Sequence, residues 1–153
     1  MNRSKVKIRQ ATAKDVDLAV PLFDAYRQFY RQPPAPERAR RFLLDRLTNK
    51  DSEILLAFFD STPIGFTQLY PSFSSVRMAR IFILNDLFVV PDARRSGAAS
   101  ALLHAAAEHA RDLGAVRLAL STEVTNTAAQ SLYEKSGWKR DSEFHHYQLF
   151  LDQ

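Results

Sequence analysis

The stretch NDLFVVPDARRSGAASALLHAAAEHARDLG, Asn85 to Gly114, carries a strand, a turn and a helix in one run. Its start closes a longer apolar segment, RIFILNDLFVV (Arg80 to Val90), whose near-continuous hydrophobicity marks a central strand covered on both faces. Pro91 ends that strand. A helix from Ser96 to Leu113 follows, with Gly114 placed to stop it. The next segment, AVRLALST (Ala115 to Thr122), again reads as a strand. Strand, long helix and strand in that order call for a right-handed parallel crossover, so the fold class is α/β with a mixed sheet.

The flanking segments fit that frame. VKIRQ (Val6 to Gln10) is a short strand, and Thr12 caps a helix of roughly Asp15 to Tyr30, with Asp15 completing a weak capping box. Pro21 lies inside that helix and predicts a kink or a broken first turn. The Pro-rich RQPPAPE (Arg31 to Glu37) is too short to divide domains. It leads into a second helix, PERARRFLLDRL (Pro36 to Leu47), with Pro36 in its first turn. EILLAFFD and IGFTQLYP flank Ser61, Thr62 and Pro63 as an antiparallel hairpin. Downstream, NTAAQSLYEKSG (Asn126 to Gly137) runs as a helix from an Asn cap to a Gly stop, and HHYQLFL (His145 to Leu151) reads as a last strand. No internal repeat is visible, and one domain spanning 1–153 is expected.

Composition narrows the function classes. Of 153 residues, 46% are hydrophobic and 25% charged, ordinary proportions for a soluble globular chain. No apolar run of about 18 residues and no signal-type apolar region is present, so neither a membrane span nor secretion is expected, and a cytoplasmic location is. The lack of cysteine excludes disulfides, thiolate metal sites and a cysteine nucleophile. His145 and His146 are strand neighbours facing opposite ways, a poor chelate, while His104 and His109 belong to the long helix; no metal is expected. A net charge of +4 favours anionic partners without specifying nucleic acid. Arg38, Arg40, Arg41 and Arg46 cluster on the second helix, but with no recognised nucleic-acid motif they read as a solvated face.

The turn after Pro91 is the most informative point for chemistry. The first N–H groups of a helix lack internal partners and carry the positive end of its dipole. Gly97, Ala98 and Ala99 leave those groups uncovered, so a large anion can sit on them, and Arg94 and Arg95 add two cations at the rim. Small residues also let a helix pack closely on a sheet, and composition alone does not choose between the two readings. Neither GxxxxGK[ST] nor GxGxxG with a distant acid is present, which argues against a nucleotide triphosphatase or a dinucleotide oxidoreductase.

What the turn does contain is R-x-x-G-x-A (Arg94, Gly97, Ala99) directly after a strand ending VVP. Three segments, LNDLFVVPDARRSGAASALL, LSTEVTNTAAQSLYEKSGW and IRQATAKDVD, occur in an order and spacing that resemble the GNAT superfamily of acyl-CoA-dependent N-acyltransferases. The likeness covers nearly the whole chain and is nearest to the small-amine and histone acetyltransferase branch. It implies a central mixed sheet that splays between its two central strands, acetyl-CoA as donor, and a possible homodimer. The pyrophosphate would rest on backbone of Arg95, Ser96, Gly97, Ala98, Ala99 and Ser100, with Arg94 at the start of the loop. The pantetheine arm would pair like an added strand with Leu87, Phe88 and Val89. By the same analogy the Leu87 N–H would polarise the thioester carbonyl. Tyr133 matches the family's general acid, although alone it reads as a tyrosine packed beside Leu132 and Trp138. Asn126 matches a cofactor contact and can cap its helix as well. Tyr26 and Tyr30 fall in the region that lines the acceptor site.

A base must take a proton from the attacking amine, and the sequence leaves two carboxylates. Asp86 stands in an apolar strand, where an unpaired charge is costly, so it is either functional or paired. Relatives that acetylate polyamines carry glutamate where this chain has Asn85. Strand neighbours face opposite ways, so Asp86 takes over that direction only if a bulge intervenes. Glu123, ending the following strand, is the second candidate. No nucleophile elbow is present, so direct transfer is expected; a non-catalytic acyl-CoA-binding domain is the rival reading. The acceptor stays open among polyamines, amino acids, drug-like amines and protein lysines.

Overall fold

The computed structural model describes residues 5–152, which divide into two compact units, one ending at Ser121 and the other starting at Thr122. The first unit contains β1 (Val6–Gln10), α1 (Val16–Phe29), α2 (Pro36–Asn49), β2 (Glu53–Phe59), β3 (Thr62–Ser74), β4 (Ala79–Val89), α3 (Ala98–Asp112) and β5 (Leu118–Ala119). Its sheet has the order β1-β2-β3-β4-β5. The first four strands pair antiparallel, and β4 pairs parallel with β5, to which α3 connects it. This is the mixed α/β sheet flanked by helices that the crossover pattern requires.

Alternation along the strands assigns the two faces. Ile54, Leu56, Phe66 and Phe88 bury against Val16, Ala19, Val20 and Phe23 of α1 and Ala39 and Leu43 of α2. The intervening residues Leu55, Ala57 and Leu69 are also buried, and α3, with Leu102, Leu103 and Ala106 fully inside, packs on the same strands. Such double coverage explains why the strand sequences are apolar nearly throughout.

The second unit holds α4 (Thr127–Lys135), which Asn126 caps by accepting the Ala129 N–H at 3.1 Å. Three expectations need correction. The first helix is preceded by a short 3-10 turn (Ala13–Asp15) and continues through Pro21, so of the two alternatives expected there the broken turn does not occur; that proline sits on the exposed side, where solvent can serve the carbonyl it leaves unbonded. The strand expected over Ala115 to Thr122 shortens to Leu118–Ala119. The last strand expected at His145 to Leu151 does not form, and Tyr147, Leu149 and Leu151 stand 91%, 84% and 87% exposed. An apolar, β-prone run becomes a strand only with a neighbouring edge to bond to, and among the described residues this run has none.

Candidate active site

Midway along β4 the ladder with β3 slips. Gln68 pairs with Asp86, but Leu69 pairs with Leu84, so Asn85 is an extra residue without an opposite number. This β-bulge decides where Asp86 points. Leu84 and Asp86 would share a face in a regular strand. Across the bulge they oppose Leu69 and Gln68, which alternate to opposite faces, and Asp86 therefore lies on the α1 side with Gln68 and Phe66. The Asn85 side chain stays beside it, with Nδ2 donating to Asp86 Oδ1 at 2.8 Å. The sequence-level objection, that Asp86 cannot share the direction of its neighbour, is removed by this feature.

Asp86 is only 3% exposed, and each of its carboxylate oxygens accepts a side-chain hydrogen bond. Gln68 Nε2 donates to Oδ2 at 2.5 Å, and Ser52 Oγ donates to Gln68 Oε1 at 2.6 Å. Thr67 Oγ1 donates to the Asp86 carbonyl at 2.8 Å. Tyr26, from α1, reaches over the Phe66 and Phe88 rings and places its hydroxyl 3.2 Å from the Asn85 carbonyl oxygen. Tyr30 packs edge-on against Tyr26, with ring centres 5.1 Å apart. Burial pushes the Asp86 carboxyl above the usual carboxylate range, while hydrogen bonds from Gln68, Asn85 and Tyr26 act in the other direction. Burial and then the nearby Asp86 charge raise the Tyr26 and Tyr70 hydroxyls, which stay protonated at working pH. Sequence reasoning singled out Asp86, Asn85, Tyr26 and Tyr30. It missed Gln68 and Ser52, although a glutamine within LLAFF…GFTQLY was a visible signal.

Further along β4, the strand loses its neighbour on the β5 side. Among the described residues, backbone pairing on that side runs only from Arg80 to Ile83, which leaves Leu84 to Val89 with an open edge. The Val90 N–H bonds to Ile64 O at 2.9 Å, which sets the phase of the ladder. In antiparallel pairing alternate residues turn to the same partner, so Phe88 and Asp86 bond toward β3, while Leu87 and Val89 turn to the open edge. Of the three backbone positions expected to bind an extended ligand, Phe88 is thus committed to β3, whereas the backbone groups of Leu87 and Val89 face the open edge. The Val89 carbonyl already accepts a bond from Arg94 Nε at 3.2 Å.

The turn that follows has the expected bareness. Gly97 caps α3 at φ +88, and the first helical bond runs from the Ala101 N–H to Gly97 O. The N–H groups of Ala98, Ala99 and Ser100 precede that bond. Ser96, 1% exposed, turns inward and its Oγ takes the Ala98 N–H at 3.2 Å, so the Ala99 and Ser100 donors remain for a ligand. Arg94 and Arg95 are exposed beside them. Donors, cations and an open strand edge in sequence fit an extended ligand with a phosphate end.

A family model described as "Acetyltransferase (GNAT) family" matches residues 19–138. The chain belongs to the GNAT acetyltransferase family. It is similar to the uncharacterized N-acetyltransferase YhfO of Bacillus subtilis (strain 168), at 52% identity over 94% of this chain and 97% of that one. A crystal structure of a probable acetyltransferase superposes with a TM-score of 0.90, at 46% identity over 95% and 97% of the two chains. An aminoglycoside N-acetyltransferase, AAC(6')-Iy, solved in complex with CoA, shares the fold at a TM-score of 0.78 and 19% identity, covering 94% of each chain.

This GNAT protein is an acyltransferase, and its remaining candidate residues lie in the second unit. Tyr133 packs against Trp138 with ring centres 6.1 Å apart, the contact expected of a packing tyrosine. Glu123 is exposed, and its carbonyl accepts the Asn126 N–H at 3.0 Å. Two of the four arginines on the second helix lie against carboxylates. Arg40 pairs with Asp17 at 2.8 Å, and Arg46 lies 2.9 Å from Asp51. Among the described residues no cluster of three metal-ligating side chains occurs, and no helix is long and apolar enough to cross a membrane.

Proposed function

We propose that this GNAT-family enzyme moves the acetyl group of acetyl-CoA to a primary amine by direct attack, with Asp86 as base and Tyr133 as acid. The observation that carries the reading is the bulge at Asn85, which buries one carboxylate on the α1 side of the strand whose far end offers an open edge and a helix start. When bound, acetyl-CoA supplies an activated thioester. The N–H groups of Ala99 and Ser100, with Arg94 and Arg95, hold its pyrophosphate. Backbone of Leu87 and Val89 aligns its arm, and the Leu87 N–H faces the acetyl carbonyl. Asp86, held above the usual carboxylate range, accepts the ammonium proton of the acceptor directly or through water, which frees the nitrogen lone pair. Tyr133 gives its proton to the departing sulfur and regains one from the nitrogen as the amide forms, and Asn126 supports the arm. Tyr26, Tyr30 and Asn85 line the acceptor side of the bulge.

The test is thiol release from acetyl-CoA across a panel of polyamines, amino acids, aminoglycosides and lysine peptides. The proposal expects at least one amine to raise release well above hydrolysis. Saturable acetyl-CoA binding with no amine-dependent release from any class would instead make this a non-catalytic acyl-CoA-binding domain.

A further inference from the structure

We propose that Gln68, oriented by Ser52, is the positioning residue that aims the Asp86 carboxylate. The inference rests on the reading of Asp86 as base. Three buried polar side chains, at 4% (Ser52), 0% (Gln68) and 3% (Asp86) exposure, form one line from the start of β2 through β3 to the bulge in β4. Chemistry fixes its direction. A carboxylate only accepts, so Gln68 presents its amide N–H to Asp86, and its amide oxygen must then take the hydrogen of Ser52. An amide with both ends bound cannot rotate away, and a buried polar line of this kind persists only if every member is satisfied.

The charged groups around Asp86 are few. Tyr26 faces it from α1 and Tyr70 from β3, and the Arg46 and Asp51 charges act on Tyr70 from the far side. Among the described residues no cation pairs with Asp86, so neutral donors support its ionised form, and Gln68 is the foremost of them. Losing it leaves burial less opposed.

The test pairs Gln68→Met, which keeps the length and removes the amide, with the milder Ser52→Ala. Each is read twice: in the acidic limb of kcat/KM, and in the carboxyl 13C titration of Asp86 in the full-length protein. Gln68→Met should move both midpoints up by about one pH unit, and Ser52→Ala should move them less in the same direction. An unchanged Asp86 titration in a folded variant overturns the proposal whatever the activity shows. If Gln68→Met does not fold, an unchanged titration in Ser52→Ala does the same. The reading of Asp86 as base fails separately, when Asp86→Asn keeps the acidic limb.

Discussion

At the scale of single residues, Asp86 was conspicuous in the sequence because a carboxylate inside an apolar strand needs a partner or a task. Its direction was not legible. A bulge adds one residue to one strand, and no local pattern in RIFILNDLFVV marks which residue is extra. If Asp86 is the base, Asp86→Asn should lower turnover and flatten the acidic limb of the pH–rate profile, whereas Glu123→Gln should leave the limb in place. The reverse outcome would transfer the role to Glu123. Stability gives an independent reading. Because burial raises the folded-state value of Asp86, its protonated form is favoured by the fold, and ionisation removes stability as pH rises through that value. The urea midpoint of Asp86→Asn relative to wild type should therefore improve as pH rises from the ordinary carboxylate range through that raised value, and stay level above it. A relative decline would mean that the fold favours the charge. Tyr133→Phe removes one hydroxyl and keeps the ring against Trp138, so turnover should fall about 10²-fold with cofactor affinity little changed. Full turnover would leave Tyr133 as packing alone.

The elements differ in how far local sequence determines them. α2 and α3 carry their stop and start chemistry locally, in Pro36, Gly97 and Gly114, and they form within a few residues of the expected bounds. β5 and the expected last strand depend on distant edges, which periodicity does not encode. Gly97 also proves to have two duties. It leaves backbone open, and it adopts φ +88, which a β-branched side chain resists. Loss of cofactor binding in Gly97→Val would therefore mix strain with blockage. Ser100→Glu separates the two, since Ser100 is the third residue of α3. A carboxylate there complements the helix dipole and should stabilise by about 0.3–1 kcal/mol. The same charge should repel a pyrophosphate and weaken acetyl-CoA binding at least about tenfold. A stable variant with unchanged affinity by calorimetry would remove the loop from the cofactor site. Asp15 offers a control away from the site, because Arg9 and the Thr12 N–H hold it below the usual carboxylate range. Its contribution should be present at neutral pH and fade as pH falls through that depressed value, and Asp15→Ala should lose it at every pH.

For the whole molecule, the net charge of +4 and the exposed Arg94 and Arg95 bear on which part of the donor supplies affinity. Composition alone could not separate a polyanionic small molecule from nucleic acid, because both answer to the same sign of charge. The distribution of the cations bears on the choice. Arg40 is paired with Asp17 and Arg46 lies against Asp51, whereas the cations at the start of α3 stand beside backbone donors. If those donors hold the pyrophosphate, binding should be electrostatic at one end of the ligand and backbone-directed along the rest. Acetyl-CoA at about 100 times its dissociation constant should raise stability by about 2.7 kcal/mol, or about 5 to 10 °C in melting temperature for a chain of this length. Acetyl-pantetheine keeps the thioester and the arm but has no pyrophosphate. It should bind at least about tenfold more weakly, with little response to salt, while acetyl-CoA binding weakens steadily as ionic strength shortens the screening length. Equal affinities, or equal salt responses, would show that the arm along Leu87 and Val89 carries the binding and that the bare turn before α3 serves packing on the sheet.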